Sequence, residues 1–446
     1  MICRRCRNCG LCPDSGGAEK KLSVAVDGIL IPKLTYDSSL PKNELGIAVD
    51  IGTTTIACSA FVLATGELVS SFGEKNMQIK YGSDVVSRIA FSMTQEGLKK
   101  LQGTVVHQIE KMAERVLGEA SIKFSQKRSG RPMLSRIALA GNSAMESLFA
   151  GCSCIGLSSF PFSLQSEFGC TFFAGEIFGD SSVIPNNCSV YLAPLAGPFV
   201  GGDAVCSMAA CGFGIKGSKS RFLADIGTNC EICVCPAGQE KILCTSTSAG
   251  PAFEGFGIEC GGPASEGSIV KVEYGGGVFS CSVFGGGTAE SISGTGLLSA
   301  MAEFKRNGIV DSFGSFADES MEKIYLCGSV YITRRDVRNF QLAKASVGAG
   351  LEILSGKIPH SEKQLFLSGG FGSKLDVGDA VETAMIPVEF SSDVVFAGNT
   401  SLAGISAALL DEHFRNDLSS IKRNCTVIDL ACENKFQDVF ISSLNF

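Results

Sequence analysis

Apolar residues run through Leu45-Gly46-Ile47-Ala48-Val49 and stop at Asp50. The same pattern recurs at Phe222-Leu223-Ala224, which stops at Asp225. Each acid opens the tetrapeptide Asp-Ile-Gly-Thr, at Asp50–Thr53 and Asp225–Thr228. A second apolar run follows each copy, Ile56 to Val62 and Glu231 to Cys235, and then a glycine turn at Thr65-Gly66 or Ala237-Gly238. Short apolar runs bounded by turn residues predict buried strands, so a strand–loop–strand–turn unit appears twice. Between and after the copies the period changes. Leu98, Leu101, Val105, Ile109, Met112 and Val116 fall at helical spacing and predict a helix over Gly97 to Leu117. Ile137 to Asn142 reads as a buried strand, and Leu365 to Ser368 as a strand entering the turn Gly369-Gly370-Phe371-Gly372. Helices are expected at Asp203 to Cys211, Thr295 to Asn307, Asp336 to Leu354 and Asn399 to Leu410. Residues 151–190 show no clear period, and the glycine-dense stretch Gly250 to Gly296 predicts short strands and loops. Alternating strand and helix signals define an α/β chain.

At 446 residues the chain is long enough for about two to four domains. The pattern divides it into a cysteine-rich head (residues 1–14), a linker (15–44), a first lobe (45–212) and a second lobe (213–446). No stretch of about 18 residues is free of polar breaks, so no membrane span is expected. The net charge of −7 argues against nucleic-acid binding through bulk electrostatics. The start, Met1-Ile2-Cys3-Arg4-Arg5, lacks the apolar core of a signal peptide. A cytoplasmic protein with reduced thiols is expected, and the 20 cysteines suit an anaerobic setting.

Two acidic, glycine-containing loops are what binding of Mg-ATP requires. Mg²⁺ keeps most of its waters, so one or two carboxylates per ion suffice. Glycine after the acid lets the main chain approach phosphate oxygens, and the following hydroxyls and amides add donors. Asp50 with Gly52, Thr53, Thr54 and Thr55 fits this, as does Asp225 with Gly227, Thr228 and Asn229. A single Asp-x-Gly-Thr is often only a hairpin turn; two copies, each ending an apolar strand, point to a nucleotide clamp. The third element, with Gly369, Gly370 and Gly372, is expected near adenine and ribose. It matches neither the Walker pattern nor a dinucleotide fingerprint. Asp203 reads either as a helix N-cap or as a carboxylate that orients water or Mg²⁺. Glu254, in a loop with Gly250, is a further candidate for the nucleotide site.

The order of first phosphate loop, second phosphate loop and adenosine loop resembles the superfamily of actin, sugar and acetate kinases, and heat-shock chaperones. Within it the chain is similar to the reductive activators of corrinoid-dependent enzymes. The stretches that carry the likeness include Gly46 to Thr55, Tyr81 to Ile89, Gly141 to Met145, Phe199 to Asp203, Asp225 to Glu231 and Ser248 to Gly255. Ser293 to Gly296, Asp336 to Ala345, Ser368 to Gly372 and the tail from Val427 to Phe446 continue it. The resemblance implies a two-lobed actin-like ATPase fold of duplicated RNase H-like domains. It also implies catalytic roles for Asp50, Asp225 and Asp203, with ATP and Mg²⁺ as cofactors. The implied activity is ATP-dependent return of an inactive Co(II) corrinoid protein to Co(I) in methyl transfer, the electron passing through an iron–sulfur centre. The implied partner is the corrinoid protein, with room for an external ferredoxin as donor and for a homodimer.

The head departs from that family. Cys3, Cys6, Cys9 and Cys12 precede Pro13 at even x2 spacing, and the 44 leading residues are too few for a ferredoxin fold plus a linker. One [4Fe–4S] cluster on the four cysteines is the leading expectation. Zinc on two Cys-x2-Cys knuckles and a remnant of a lost domain are the alternatives. Cys230, Cys233 and Cys235 read as small core residues. Two other functions stay open on residues alone: a small-molecule kinase of the same fold, and a non-catalytic nucleotide-dependent escort of a metalloprotein.

Overall fold

The computed structural model describes residues 31, 34–127, 130–372 and 374–446. The candidate ligands Cys3, Cys6, Cys9 and Cys12 lie outside them. The chain forms two compact units. The first contains the described residues up to Ile215, with Glu240–Ile242 and Asn399–Val427. The second contains Lys216–Gln239, Leu243–Gly398 and Ile428–Phe446. Sequence reading assigned 213–446 to the second lobe without a break; Asn399–Val427 instead clusters with the first unit, because its helix packs there.

The first unit is built on a mixed sheet. Its strands are β1 (Glu44–Ile51), β2 (Thr55–Val62), β3 (Glu67–Lys75), β4 (Met133–Gly141), β5 (Phe168–Phe173) and β6 (Ser189–Pro194), in the order β3-β2-β1-β4-β6-β5. β1 pairs antiparallel with β2 and parallel with β4, so it is central and reads as an unbroken apolar run. The expected helix is longer than its apolar stripe, spanning Gln95–Lys127. Leu101, Val105, Ile109, Met112 and Val116 are all buried on it, as their spacing requires. The small-residue helices Gly202–Ala210 and Thr400–Leu410 pack so closely that a Cβ on Gly404 would overlap the backbone of Cys206.

The second unit repeats the plan. β7 (Ser220–Ile226), β8 (Asn229–Cys235) and β9 (Ile242–Ser248) form an antiparallel run. A side sheet holds β10 (Ser268–Gly275), β11 (Val278–Val283) and β12 (Ser291–Ile292), and a hairpin holds β13 (Lys323–Cys327) and β14 (Val330–Thr333). β15 (Lys363–Ser368) lies parallel to β7 and to β16 (Val394–Gly398). The helix Arg334–Gly356 begins at a capping box between Thr333 and Asp336. It lies against β8, where a Cβ on Gly350 would overlap Ile232. Asp225 in β7 faces Glu231 in β8 as Asp50 in β1 faces Ala57 in β2. The duplicated sequence unit is therefore a duplicated structural one. Among the described residues no helix is long and apolar enough to cross a membrane.

Candidate functional site: two braced phosphate loops

In the first unit Asp50 is the penultimate residue of β1, opposite Ala57 on one side and Ala140 on the other. The carboxylate thus stands one residue before the end of the strand, between two small apolar neighbours. Asn399 Nδ2 and Ser401 Oγ each donate to it at 2.9 Å. Burial pushes its pKa up, and these two hydrogen bonds oppose that shift. The following turn is tight: a Cβ on Gly52 would sit 2.5 Å from the Thr55 carbonyl oxygen. Two buried polar residues hold this turn. Asn76 Nδ2 donates to the Gly52 carbonyl at 2.8 Å, and Arg88 donates to the Thr53 carbonyl at 2.7 Å and the Gly82 carbonyl at 2.9 Å. Arg88 is fully buried, and desolvation brings its pKa down to about 10 against the opposing charge of Asp84.

Asn142, after β4, donates to Thr53 Oγ1 at 3.1 Å and caps the helix Ser143–Phe149. That helix is wholly buried and carries Glu146. Glu146 Oε1 accepts from the Gly141 amide at 3.0 Å and also from the Gly202 amide. Its Oε2 is buried without a hydrogen-bond partner. Desolvation and then the charges of Asp203 and Asp50 raise the Glu146 pKa well above the usual carboxylate range. Glu146 thus ties the end of β4 to the start of the Gly202–Ala210 helix. Asp203 sits in the first turn of that helix with Oδ1 accepting from the Ala204 amide at 2.7 Å. The N-cap is Gly201, which makes no side-chain cap hydrogen bond, so Asp203 lies inside the helix and does not take the N-cap position open to it in the sequence.

In the second unit Asp225 is again the penultimate strand residue. Ser368 of β15 lies beside it in parallel register. Gly369 then turns with φ +86°, and a Cβ there would sit 2.6 Å from the Ile226 oxygen and 2.9 Å from Asp225 Oδ1. The expected glycine turn is a short helix, Gly369–Gly372, leaving its backbone close to the loop. Thr228 Oγ1 donates to Glu254 Oε1 at 2.6 Å, and the Gly250 amide donates to the Thr228 carbonyl at 2.9 Å. Phe253 stacks on Phe371 at 4.4 Å with the rings 7° apart. The stack joins the Gly250–Glu254 loop to the Gly369–Gly372 turn. Asp225, Gly227, Thr228, Asn229, Gly250, Glu254 and Gly369 are therefore gathered at one strand end.

Sequence reasoning missed Glu146, Arg88, Asn76, Asn399 and Ser401. A lone acid in the apolar helix segment Ser143-Ala144-Met145-Glu146-Ser147-Leu148-Phe149 was the signal for Glu146. Nothing local marks Asn399, which lies 349 residues from Asp50. Cys58, Cys206 and Cys230 are fully buried with thiol pKa values pushed up by desolvation, as expected of core cysteines. Among the described residues no group of three or more His, Cys, Asp or Glu is arranged to hold a metal ion.

Two strand-end acids with glycine-bearing loops, on duplicated mixed sheets, define a nucleotide-binding protein of the actin, sugar-kinase and chaperone type. Residues 219–446 match the family model described as the C-terminal, ASKHA domain of RACo, and residues 45–216 match the RACo middle region. The chain belongs to this family, the reductive activators of corrinoid-dependent enzymes. It is 29% identical to the corrinoid activation enzyme RamQ of Eubacterium limosum over 96% of this chain and 74% of that one. It is 26% identical to a [Co(II) methylated amine-specific corrinoid protein] reductase of Methanosarcina barkeri, over 90% of this chain and 77% of that one. A solved structure titled a reductive activator for corrinoid, iron–sulfur protein superposes with a TM-score of 0.76 at 26% identity, over 91% of this chain and 67% of that one.

Proposed function

We propose that this protein is an ATP-dependent reductive activator that returns the cobalt of a corrinoid protein from Co(II) to Co(I). The observation that carries the reading is the likeness to corrinoid activators over nine-tenths of the chain, supported by a strand-end acid followed by a glycine-bearing turn in each unit. The residues fit Mg-ATP. At Gly52 and Gly369 a Cβ would overlap neighbouring backbone, so each tight turn requires glycine, and each loop opens with a strand-end acid. Asp50 in the first unit and Asp225 in the second are the strand-end carboxylates that would each accept from water of a hydrated Mg²⁺. The backbone and hydroxyls of Gly52–Thr55 and of Gly227, Thr228 and Asn229 take the phosphate oxygens. Asp203 orients the attacking water, Glu254 fixes Thr228, and Gly369, Gly370 and Gly372 approach the adenosine.

One electron converts Co(II) to Co(I), and the step is uphill from ordinary donors. ATP can help only by favouring one state of the activator–corrinoid complex over another. A [4Fe–4S] cluster on Cys3, Cys6, Cys9 and Cys12 would carry that single electron, taken from a ferredoxin-type donor. Anaerobically purified protein should contain iron and acid-labile sulfide in equal amounts; zinc in their place would remove the electron-carrying role. Mg-ATP hydrolysis should rise when the Co(II) corrinoid partner is added. A rate indifferent to that partner would refute the reading.

A further inference from the structure

Three arginines open the Arg334–Gly356 helix of the second unit: Arg334, Arg335 and Arg338. With Gly314 and Ser315 they line a depression of about 400 Å³. Spacings of three and four place Arg338 on the same helix face as the other two. Among the described residues none of the three makes an ion pair. Arg334 donates to the carbonyls of Glu319 and Met321 at 2.9 Å and lies over the Phe316 ring at 4.7 Å. Arg338 donates to the Phe313 carbonyl at 2.8 Å and to Gln341 Oε1 at 2.7 Å. These partners are neutral. They fix the guanidinium groups without cancelling their charge.

The nearby acids make their hydrogen bonds elsewhere, although the charges of Glu259 and Asp318 are felt by Arg335 and Arg334 without an ion pair forming; Asp318 accepts from Ser320. The Asp336 carboxylate is buried and accepts from Thr333 and from the Glu259 amide. Asp311 accepts from the amides of Phe313 and Ser315. Glu259 accepts from Tyr331 at 2.6 Å and lies 3.7 Å from Lys323. Like charges three and four apart on a helix repel, and cations in the first turn face the positive end of the helix dipole. The three charges therefore repel one another. A second depression, lined by Lys219, Lys363, Glu389 and Asp393 among others, is different: Lys219 pairs with Asp393 at 2.9 Å and Lys363 with Glu389 at 2.7 Å.

We propose that the arginine-lined depression is an anion site that takes the phosphate group of a small ligand. Guanidinium forks bind phosphate oxygens in pairs, and a dianion with three acceptor oxygens suits three of them better than one carboxylate does. None of its lining residues belongs to the phosphate loops. The site therefore stands apart from the ATP reading.

The test titrates inorganic phosphate and pyrophosphate into the full chain at fixed ionic strength, with the phosphate loops saturated by Mg-AMPPNP. Calorimetry and thermal unfolding are the readouts. Wild type should bind saturably and melt at higher temperature with either anion. Arg335→Ala should weaken binding about tenfold or more and abolish the anion-dependent rise. In anion-free buffer it should melt no lower than wild type, because a repulsive charge is gone. Arg338→Ala should weaken binding in the same direction, and Arg335→Lys should fall between wild type and Arg335→Ala. If AMPPNP fails to bind, the ATP reading fails while the Arg335 dependence of phosphate binding still stands or falls alone. Equal affinity in wild type and Arg335→Ala would overturn the proposal. So would Arg335-dependent binding of a glutamate-rich peptide without any of phosphate, which would reassign the site to an acidic protein.

Discussion

A Cβ on Gly202 would overlap Oε1 of Glu146. The two residues are in contact because the buried carboxyl accepts from the Gly202 amide as well as from Gly141. Glu146 thus positions the turn that carries Asp203. Gly202→Ala should displace that turn and lower kcat for ATP hydrolysis at least tenfold. Glu146→Ala should do the same, and combining it with Asp203→Ala should add little, since both would remove one function. Full additivity in that double-mutant cycle would contradict the link.

Glu146 also sets a pH dependence. Its folded pKa is raised, first by desolvation and then by Asp203 and Asp50, so the folded state holds the proton more tightly than the unfolded chain does. This contribution is fully present below the unfolded carboxyl pKa of about 4.3 and fades as pH rises toward the folded value. Denaturant unfolding at a series of pH values should show stability falling more steeply with rising pH in wild type than in Glu146→Gln.

Asn399 and Ser401 oppose the upward push that burial gives the Asp50 pKa. Removing either donor leaves burial less opposed, so the pKa rises further. Asn399→Ala and Ser401→Ala should each weaken Mg-ATP binding about tenfold, consistent with loss of a charge-assisted hydrogen bond. The acid limb of the binding profile should move to higher pH. Calorimetric titrations over a series of pH values test this; an unmoved acid limb would mean that Asp50 is not the titrating group.

Arg88 braces the first loop from behind. Its side chain is fully buried and serves two carbonyls, so Arg88→Met should leave both without their donor. Destabilisation of about 2–4 kcal/mol is expected, together with a raised KM for ATP. Thermal unfolding and steady-state kinetics on one preparation separate the two effects.

Lys344 is buried in the second unit, donating to the Asn445 carbonyl beside the Phe446 ring, and desolvation pulls its pKa down to about 7. The unfolded value is about 10.4, so the unfolded chain binds the extra proton between those limits. Stability should therefore rise with pH from about 7 to about 10.4. Lys344→Met should flatten that rise and gain most over wild type below pH 7. Parallel unfolding curves for the two proteins across that range would show that Lys344 is not desolvated.

The parts of the fold that were legible in the sequence share a physical cause. β1 and β7 are central strands, so Leu45–Val49 and Phe222–Ala224 are apolar and the acids that follow them stand out. The face of the Gln95–Lys127 helix was readable because Leu101 to Val116 repeat at helical spacing. The braces were not readable. Asn399 and Ser401 meet Asp50 only through tertiary packing of a helix whose own pattern is merely small and apolar. The return of Asn399–Val427 to the first unit was hidden for the same reason. Arg88, in the Val85–Phe91 helix, carries no mark of burial in the sequence, because a buried arginine is betrayed only by the carbonyls it serves. Glu146 left a trace, a charge in an apolar helix, that spacing alone could not assign to two glycine amides.

The central claim is that this ATPase drives an electron onto cobalt. Its most direct test is the visible spectrum of a purified Co(II) corrinoid protein, followed anaerobically with this protein and a low-potential one-electron donor. With Mg-ATP the Co(II) bands should decay and Co(I) should appear, or methyl-Co(III) if a methyl donor is present; without ATP, or with Asp50→Asn, Co(II) should persist. Cobalt that stays Co(II) while ATP is hydrolysed would contradict the account.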